Sequence, residues 1–179
     1  MKVHQTSLVG LLKLEPFVAP DHRGSFIKTF QQNEFATAGL ETNFTDEYVS
    51  VSRPGVLRGM HFQVPPHAQT KLVCCVAGKV LDAVVDLRRK SPTFGQHAKF
   101  ELSLSQPEIL YVPAGFAHGF CVLEGPAVML YKVSMPYAPS YDRGIRWDTI
   151  GLSWPLEQPL LSPRDREFPA MPEFESPFD

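Results

Sequence analysis

Cysteine, long apolar runs and excess charge are all scarce in this sequence. The three cysteines, Cys74, Cys75 and Cys121, include no Cys-x-x-Cys pair, which argues against a disulfide framework and a structural zinc site. No apolar run is long enough to cross a membrane, and residues 1–6 lack the apolar core of a signal peptide. We therefore expect a cytoplasmic protein with reduced, buried thiols and no membrane partner.

The formal net charge is only −2, so the chain as a whole does not attract nucleic acid or an anionic membrane surface. We expect no nucleic-acid partner. Any anion-binding site must be a local cluster of arginine, lysine and histidine side chains.

Proline and glycine, by contrast, are plentiful. The 17 prolines and 12 glycines divide the chain into short segments, which argues against long helices. Many short strand-like segments at regular spacing predict an all-β, antiparallel sandwich or barrel in one domain, residues 1–179. The strand-like segments are 11–18, 26–30, 45–52, 56–63, 69–77, 79–87, 98–104, 109–112, 119–123 and 128–134.

The segments between these strands have simple interpretations. Residues 21–26 read as a turn, and residues 33–38 as one short helix. Ala77-Gly78 is expected to be the tip of a β-hairpin, and residues 136–179 are expected to be irregular.

The stretch Val56–Gln63 is a strand-like run that carries Arg58 and His61. These two residues are three apart, so a regular strand would point them to opposite faces. Gly59 lies between them, and a glycine inside a strand often marks a bulge. We therefore expect Gly59 to let both side chains face one pocket.

Two aspartates, Asp82 and Asp86, lie among valines on the predicted strand 79–87, where an unpaired carboxylate is costly. Lys71 is a possible partner for Asp82. Asp86 is better explained as an outward-facing residue at a sheet edge, and residues 88–90 as a solvated basic turn.

Two of the six histidines, His61 and His118, lie in apolar surroundings marked by glycine and proline. Either could be a purely structural histidine. Together with Arg58, Lys71 and Tyr131 on predicted strands, they form a candidate constellation for acid–base chemistry. His4, His67 and His97 lie among polar or turn residues and are taken as surface.

Two short motifs resemble those of the cupins: Gly59-x-His61-x-Gln63 and Pro113-x-Gly115-x-x-His118. Metal-binding cupins supply three histidines and a glutamate from these motifs. Here Gln63 stands at the second histidine position and Lys71 at the glutamate position, and a lysine ammonium is a poor metal ligand. We therefore expect no metal, with Lys71 supplying positive charge instead.

The chain as a whole resembles the dTDP-4-dehydrorhamnose 3,5-epimerase family, in register over nearly its full length. The resemblance implies an antiparallel double-stranded β-helix, the cupin jelly roll, with short peripheral helices. The matching stretches are Asp21–Phe26, Gly55–Gln63, Lys71–Val73, Val85–Arg88, Ser91–Gly95, Pro113–Phe120, Leu130–Lys132, Gly144–Trp147 and Leu161–Asp165.

The resemblance also implies a reaction. Epimerisation beside a 4-keto group removes a proton from C3 or C5 of a nucleotide-linked 4-keto-6-deoxyhexose, forms an enolate and returns a proton to the opposite face. No cofactor is required. His61 would be the base, with Asp165 holding its other ring nitrogen, and Tyr131 the acid. Lys71 would stabilise the enolate.

The remaining implied roles concern the substrate and the assembly. Arg58 would bind the diphosphate or sugar. Arg23 and Phe26 would reach the nucleotide from the neighbouring subunit of a homodimer, with residues 1–50 contributing to the interface. The other expected contributors to the substrate site are Gln63, His118, Asp82 and Tyr48.

One segment departs from the family pattern. Where the family usually has Gln-x-Asn, this chain has Asp46-Glu47-Tyr48. Carboxylates facing the pocket would repel a diphosphate, and Tyr48 could reshape the site. Alternatively, the segment shifts outward and the change is neutral.

Other functions remain open from the residues. The chain could invert only C3 or only C5 of a different nucleotide sugar. It could also be a metal-dependent cupin, or a sugar-binding jelly roll without catalysis.

Overall fold

The computed structural model describes residues 1–179 and contains eleven β-strands, two short α-helices and three 3₁₀ turns. The all-β prediction is therefore confirmed. The strands are β1 (Lys2–Gln5), β2 (Leu12–Glu15), β3 (Phe17–Asp21), β4 (Gly24–Lys28), β5 (Asp46–Ser52), β6 (Leu57–Gln63), β7 (Lys71–Asp86), β8 (His97–Ser103), β9 (Ile109–Val112), β10 (Phe116–Val133) and β11 (Asp142–Gly144). The helices are α1 (Gln32–Thr37) and α2 (Pro163–Glu167), and the 3₁₀ turns are Pro139–Tyr141, Trp147–Thr149 and Met171–Glu173.

Two long strands, β7 and β10, form the centre of an antiparallel jelly roll. They pair with each other along most of their lengths, from Phe116 opposite Asp86 to Val133 opposite Lys71. One half of β7 also pairs with β9 and the other half with β8. One half of β10 pairs with β6 and the other with β5. The remaining neighbours extend the order to β1-β2-β9-β7-β10-β6-β11, and β3 and β4 form a separate hairpin.

The predicted hairpin about Ala77-Gly78 is wrong. Both of its arms belong to the single strand β7, and each pairs with β10 instead of with the other. Gly78 (φ +72°) is a bend at which a Cβ would lie 2.4 Å from the carbonyl oxygen of Glu124. Residues 119–123 and 128–134, likewise predicted as separate strands, are essentially the two halves of β10. The sequence pattern could not distinguish a bend in one strand from a hairpin turn, because glycine suits both.

The largest apolar cluster lies between the two halves of the jelly roll. It contains 16 buried residues, among them Val73 and Cys75 of β7 and Met129 and Tyr131 of β10. These residues alternate along their strands, so one face of each strand is buried in this cluster. No helix is long and apolar enough to cross a membrane. All three cysteines are free and buried.

The expectation that Asp86 faces outward at a sheet edge is wrong. Asp86 is fully buried and accepts hydrogen bonds from Arg88 Nη2 at 2.7 Å, Ser91 Oγ at 2.6 Å and Thr93 Oγ1 at 2.7 Å. Arg88 also packs over the ring of Phe116, with its guanidinium carbon 4.3 Å from the ring centroid. Residues 88–90 are therefore not a simple solvated turn.

Smaller elements follow the predictions with shifted ends. Strand β1 has no predicted counterpart, and the predicted strand 11–18 is divided at Pro16 into β2 and β3. Helix α1 begins and ends one residue earlier than expected. The turn at Asp21 forms through a hydrogen bond from the Arg23 amide to Asp21 Oδ1 at 2.8 Å. The segment after Val133 is mostly irregular, although it contains β11 and α2.

Candidate active site

A cavity of about 400 Å³ opens on β6, β7 and β10 and gathers most of the predicted site residues. Polar and charged side chains dominate its lining. The predicted residues that line it are Tyr48, Arg58, His61, Gln63, Lys71, His118 and Tyr131.

A bulge in β6 brings Arg58 and His61 to this cavity, as expected. His118 of β10 lies opposite His61, but Phe120 lies opposite Arg58, so β6 carries one extra residue between the two pairs. Gly59 adopts φ +140°, and a Cβ there would lie 2.6 Å from the Cα of Gly119. The bulge thus requires glycine on both strands at their contact.

The imidazole of His61 is paired with a buried carboxylate. Its Nε2 lies 2.8 Å from Oδ1 of Asp165, and Oδ2 of Asp165 accepts the amide of Gly59 at 3.2 Å. Asp165 lies in the first turn of α2, where its amide donates to the capping hydroxyl of Ser162.

Asp165 and His61 shift each other's pKa values. Burial alone would raise the pKa of Asp165, but the hydrogen bond and charge of His61 and the Gly59 amide hold it below its usual value. Burial lowers the pKa of His61, and Asp165 partly opposes that effect. An ionised Asp165 requires the Nε2 proton on His61, which leaves Nδ1 unprotonated as a base.

Lys71 places a buried amine beside this histidine. Its Nζ lies 3.2 Å from the main-chain carbonyl oxygen of His61. Burial lowers the pKa of Lys71 to about 8, although the carboxylates of Asp142 and Asp82 favour the charged form. The amine is therefore mostly a cation at neutral pH and loses its charge within mildly alkaline pH.

The proposed pairing of Asp82 with Lys71 gives way to a different contact. Asp82 Oδ2 lies 2.8 Å from Nε2 of His118, and both side chains are buried. Burial raises the pKa of Asp82, opposed by His118 and Lys71. The other carboxylate oxygen, Oδ1, is buried without a hydrogen-bond partner.

Tyr131 projects into the same cavity from β10 and is 7% exposed. Its ring and that of His118 form a T-shaped pair, with ring centroids 6.1 Å apart and planes at 73°. Burial, with the negative charge of Asp82 adding to it, raises the pKa of Tyr131 well above its usual value. Its phenol therefore stays protonated over the physiological range.

Gln63 lines the cavity, but its amide group is already used by the protein. Nε2 donates to the carbonyl oxygens of His67 and Pro136, and Oε1 accepts the amide of Ala138 at 2.7 Å. Gln63 therefore secures the irregular segment after β10 to β6, and this bonding leaves little capacity for a substrate.

The three remaining predicted binding residues differ in position. Arg58 Nε donates to Ser52 Oγ at 3.0 Å and the side chain reaches the cavity. Arg23 and Phe26 lie on the exposed β3–β4 hairpin and do not line this cavity. The expectation that they act in a partner's site remains a prediction.

The segment that departs from the family pattern faces in two directions. Glu47 forms an ion pair with Lys132, and Tyr48 lines the cavity. Burial, with the charges of Asp142 and Asp46, raises the pKa of Tyr48 to about 12. The alternation of β5 thus turns the Glu47 carboxylate away from the face that carries Tyr48.

Nine lining residues were not predicted as site residues, and five of them carry polar or charged groups: Ser50, Gln69, Tyr137, Asp142 and Arg164. Asp142 accepts hydrogen bonds from Arg164 Nη1 and, at 3.2 Å, from Tyr137 Oη. Arg164 adjoins Asp165, so the C-terminal motif pointed to its position. Asp142 lies in the segment expected to be irregular, where no periodic pattern could indicate its direction.

No group of three or more histidine, cysteine, aspartate or glutamate side chains is placed to hold a metal ion. The two cavity histidines each pair through Nε2 with a carboxylate instead. The cavity thus gathers a histidine paired with a carboxylate, a tyrosine and a lysine around a common space.

Comparison with known proteins gives consistent matches. The family model described as dTDP-4-dehydrorhamnose 3,5-epimerase matches residues 5–173. The dTDP-4-dehydrorhamnose 3,5-epimerase of Shigella flexneri is 44% identical over 168 residues, which cover 92% of this chain and 93% of the relative.

Two solved structures are similar throughout. The dTDP-4-dehydrorhamnose 3,5-epimerase of Bacillus anthracis, with TDP and PPi bound, is 39% identical with a TM-score of 0.92, covering 95% of this chain and 99% of that chain. The dTDP-6-deoxy-D-glucose-3,5-epimerase of Legionella pneumophila, in complex with dTDP-4-keto-L-rhamnose, is 36% identical with a TM-score of 0.92. The match covers 97% of this chain and 94% of that chain.

Proposed function

This chain belongs to the dTDP-4-dehydrorhamnose 3,5-epimerase family, and on that premise we propose that it inverts C3 and C5 of a dTDP-linked 4-keto-6-deoxyhexose. The enzyme is an isomerase of deoxysugar biosynthesis. The observation that carries the proposal is that His61, paired with Asp165, and Tyr131 open into one cavity.

His61 is the base in this proposal. The ketone at C4 acidifies the hydrogens on C3 and C5, so a neutral imidazole can remove one and leave an enolate. Because Asp165 engages Nε2, the proton is taken by Nδ1, and the carboxylate stabilises the imidazolium that forms. The lowered pKa of His61 keeps the base unprotonated at neutral pH.

Tyr131 is the acid. It donates its phenolic proton to the carbon on the face opposite to His61, and solvent later restores that proton. The raised pKa of Tyr131 supports this role, because the phenol is protonated whenever the histidine is ready to accept.

Lys71 stabilises the enolate oxygen. A cation in a buried cavity interacts with developing negative charge more strongly than it would in water. His118, fixed by Asp82, lies across the strand pair from His61 and completes the polar side of the cavity.

Arg58 and Arg164 supply further positive charge for the diphosphate. In the homodimer that we propose, Arg23 and Phe26 extend from the exposed hairpin, with residues 1–50 near the interface, toward the partner's nucleotide. We also propose a single domain over residues 1–179 and, from its three reduced thiols, a cytoplasmic location.

The test is ¹H NMR of the protein in D₂O with dTDP-4-keto-6-deoxyglucose. We expect deuterium to replace hydrogen at both C3 and C5, with formation of the doubly inverted sugar. Exchange at one carbon alone would assign a single-site epimerase, and binding without any exchange would assign a sugar-binding protein. Either result would overturn the proposal.

A further inference from the structure

Tyr48 and Tyr131 form a stacked pair across two strands. They are directly opposite in the β5–β10 register, their ring centroids lie 5.0 Å apart, and their planes differ by 19°. Tyr48 also lines the cavity while remaining 46% exposed. The pair therefore connects the rim of the cavity, where Tyr48 lies, to the buried ring of Tyr131.

The Tyr131 ring has aromatic neighbours of two kinds. His118 packs against it in a T-shaped arrangement and is itself held in place by the buried carboxylate of Asp82. Tyr48 covers a face of the ring, and such a contact restricts how far the ring can tilt. Removing the Tyr48 ring would leave that face open to the cavity.

We infer that Tyr48 is a positioning residue, which holds the phenol of Tyr131 at the angle needed to protonate the sugar carbon opposite His61. The inference rests on the proposed epimerase function. It concerns the outcome of each turnover, because the enolate can be protonated from either face.

The two faces give different products. A proton from Tyr131 inverts the carbon, leaves a tyrosinate and is later replaced from solvent. A proton returned by the His61 imidazolium restores the starting configuration and regenerates the neutral histidine. In D₂O the imidazolium exchanges its proton for deuterium from solvent, and the second route then places that deuterium in unchanged substrate. The ratio of exchange to inversion therefore measures how well Tyr131 is placed.

Tyr48 differs from Tyr131 in its position. It lies at the rim of the cavity and is 46% exposed, whereas Tyr131 is 7% exposed. Its ring face is stacked on Tyr131, and stacking needs the ring without the hydroxyl. This distinction predicts that phenylalanine can replace Tyr48 and that alanine cannot.

The experiment compares Tyr48→Ala and Tyr48→Phe with wild type by NMR in D₂O, using dTDP-4-keto-6-deoxyglucose. We expect Tyr48→Ala to raise the ratio of exchange to inversion on the order of threefold to tenfold, the range that the loss of one aromatic contact represents. Tyr48→Phe should keep the wild-type ratio. Val49→Ala is the matched control, because Val49 is the adjacent residue of β5 and is 58% exposed.

A purely substrate-contacting Tyr48 would raise KM in Tyr48→Ala with an unchanged ratio, and that result would overturn the inference. If Tyr48→Ala does not fold, Tyr48→Leu keeps an apolar side chain without the ring and must show the same rise. Failure of the proposed function is distinguishable, because wild-type protein would then exchange at one carbon alone or at neither carbon.

Discussion

Asp165 contacts both the imidazole of His61 and the main chain that aims it. One carboxylate oxygen lies 2.8 Å from His61 Nε2, and the other accepts the amide of Gly59 in the bulge at 3.2 Å. The same side chain therefore selects the tautomer of His61 and supports the backbone geometry that turns this imidazole into the cavity.

Replacing His61 by asparagine removes the proposed base. We expect the rate of epimerisation to fall by about 10²–10⁴-fold, the usual contribution of a positioned general base. Initial rates of deuterium exchange at C3 and C5 measure the loss, and His4→Asn, at an exposed histidine, is the control. Replacement of Arg58 should cost much less in kcat. Equal losses from His61→Asn and an Arg58 variant would contradict the assignment of the base.

Replacing Asp165 by asparagine should affect both the rate and its pH dependence. An amide can donate to Nε2 and leave the proton on Nδ1, so we expect kcat/KM to fall on the order of 10²-fold. Without the opposing carboxylate, burial lowers the pKa of His61 further, and the acid limb of kcat/KM moves to lower pH. Asp148→Asn, at an exposed carboxylate, is the control. An acid limb that moves to higher pH would contradict this account.

The pKa of Lys71 predicts that kcat/KM declines at alkaline pH. Lysine loses its charge as the pH rises through its pKa, here lowered to about 8, so kcat/KM should decline above that pH. Lys71→Arg keeps the charge and should move this decline to higher pH. Lys71→Met should lower the rate on the order of 10²-fold at neutral pH, and its difference from wild type should narrow above pH of about 8. The profile of Lys13→Arg, a surface substitution, should match wild type. If the alkaline decline of kcat/KM keeps the same pH in Lys71→Arg, a group other than Lys71 causes it.

Replacing Tyr131 by phenylalanine separates the two proton transfers. We expect inversion to fall on the order of 10²-fold or more, while exchange into unchanged substrate continues because His61 is intact. NMR in D₂O records both rates in one sample. Tyr111→Phe, on β9 and outside the cavity, is the control. Loss of exchange and inversion in equal proportion would instead assign Tyr131 to substrate binding.

Asp86 predicts an effect on stability without an effect on chemistry. Asp86→Asn breaks a buried charged network, so we expect about 3 kcal/mol of destabilisation and a Tm lower by about 6–12 °C. Although burial opposes it, the hydrogen bonds of Arg88, Ser91 and Thr93 hold the pKa of Asp86 below its usual value. The stability that Asp86 supplies is therefore present above pH of about 4 and is lost as the pH falls through its lowered pKa.

Thermal unfolding of wild type and Asp86→Asn at several pH values checks this prediction. The difference between them should narrow in acid, and Asp148→Asn, an exposed pair with Arg146, should change stability by less than about 1 kcal/mol. A difference in Tm between wild type and Asp86→Asn that widens on acidification would contradict this account of the Asp86 network.

The sequence predicted those parts of the site that local patterns and motifs carry. Alternating apolar residues indicated the strands, and Gly59 between Arg58 and His61 indicated the bulge. His61, Lys71, His118 and Tyr131 all reach one cavity, as their motifs implied.

The sequence could not predict contacts that depend on which strands become neighbours. Gly78 looks the same in a hairpin as in a bent strand until β10 pairs with both arms. Asp86 looked exposed because its partners belong to the following loop. Asp142 and Arg164 come together across the irregular C-terminal segment, which has no periodicity to read.

The bends in β7 and β10 have a consequence for how a sugar enters. The pairing of these two strands shifts register at the bend, but each strand continues from one half of the barrel into the other. The proposed base, acid and cation therefore lie on neighbouring strands of one sheet, a rigid support to whose spacing a sugar must fit.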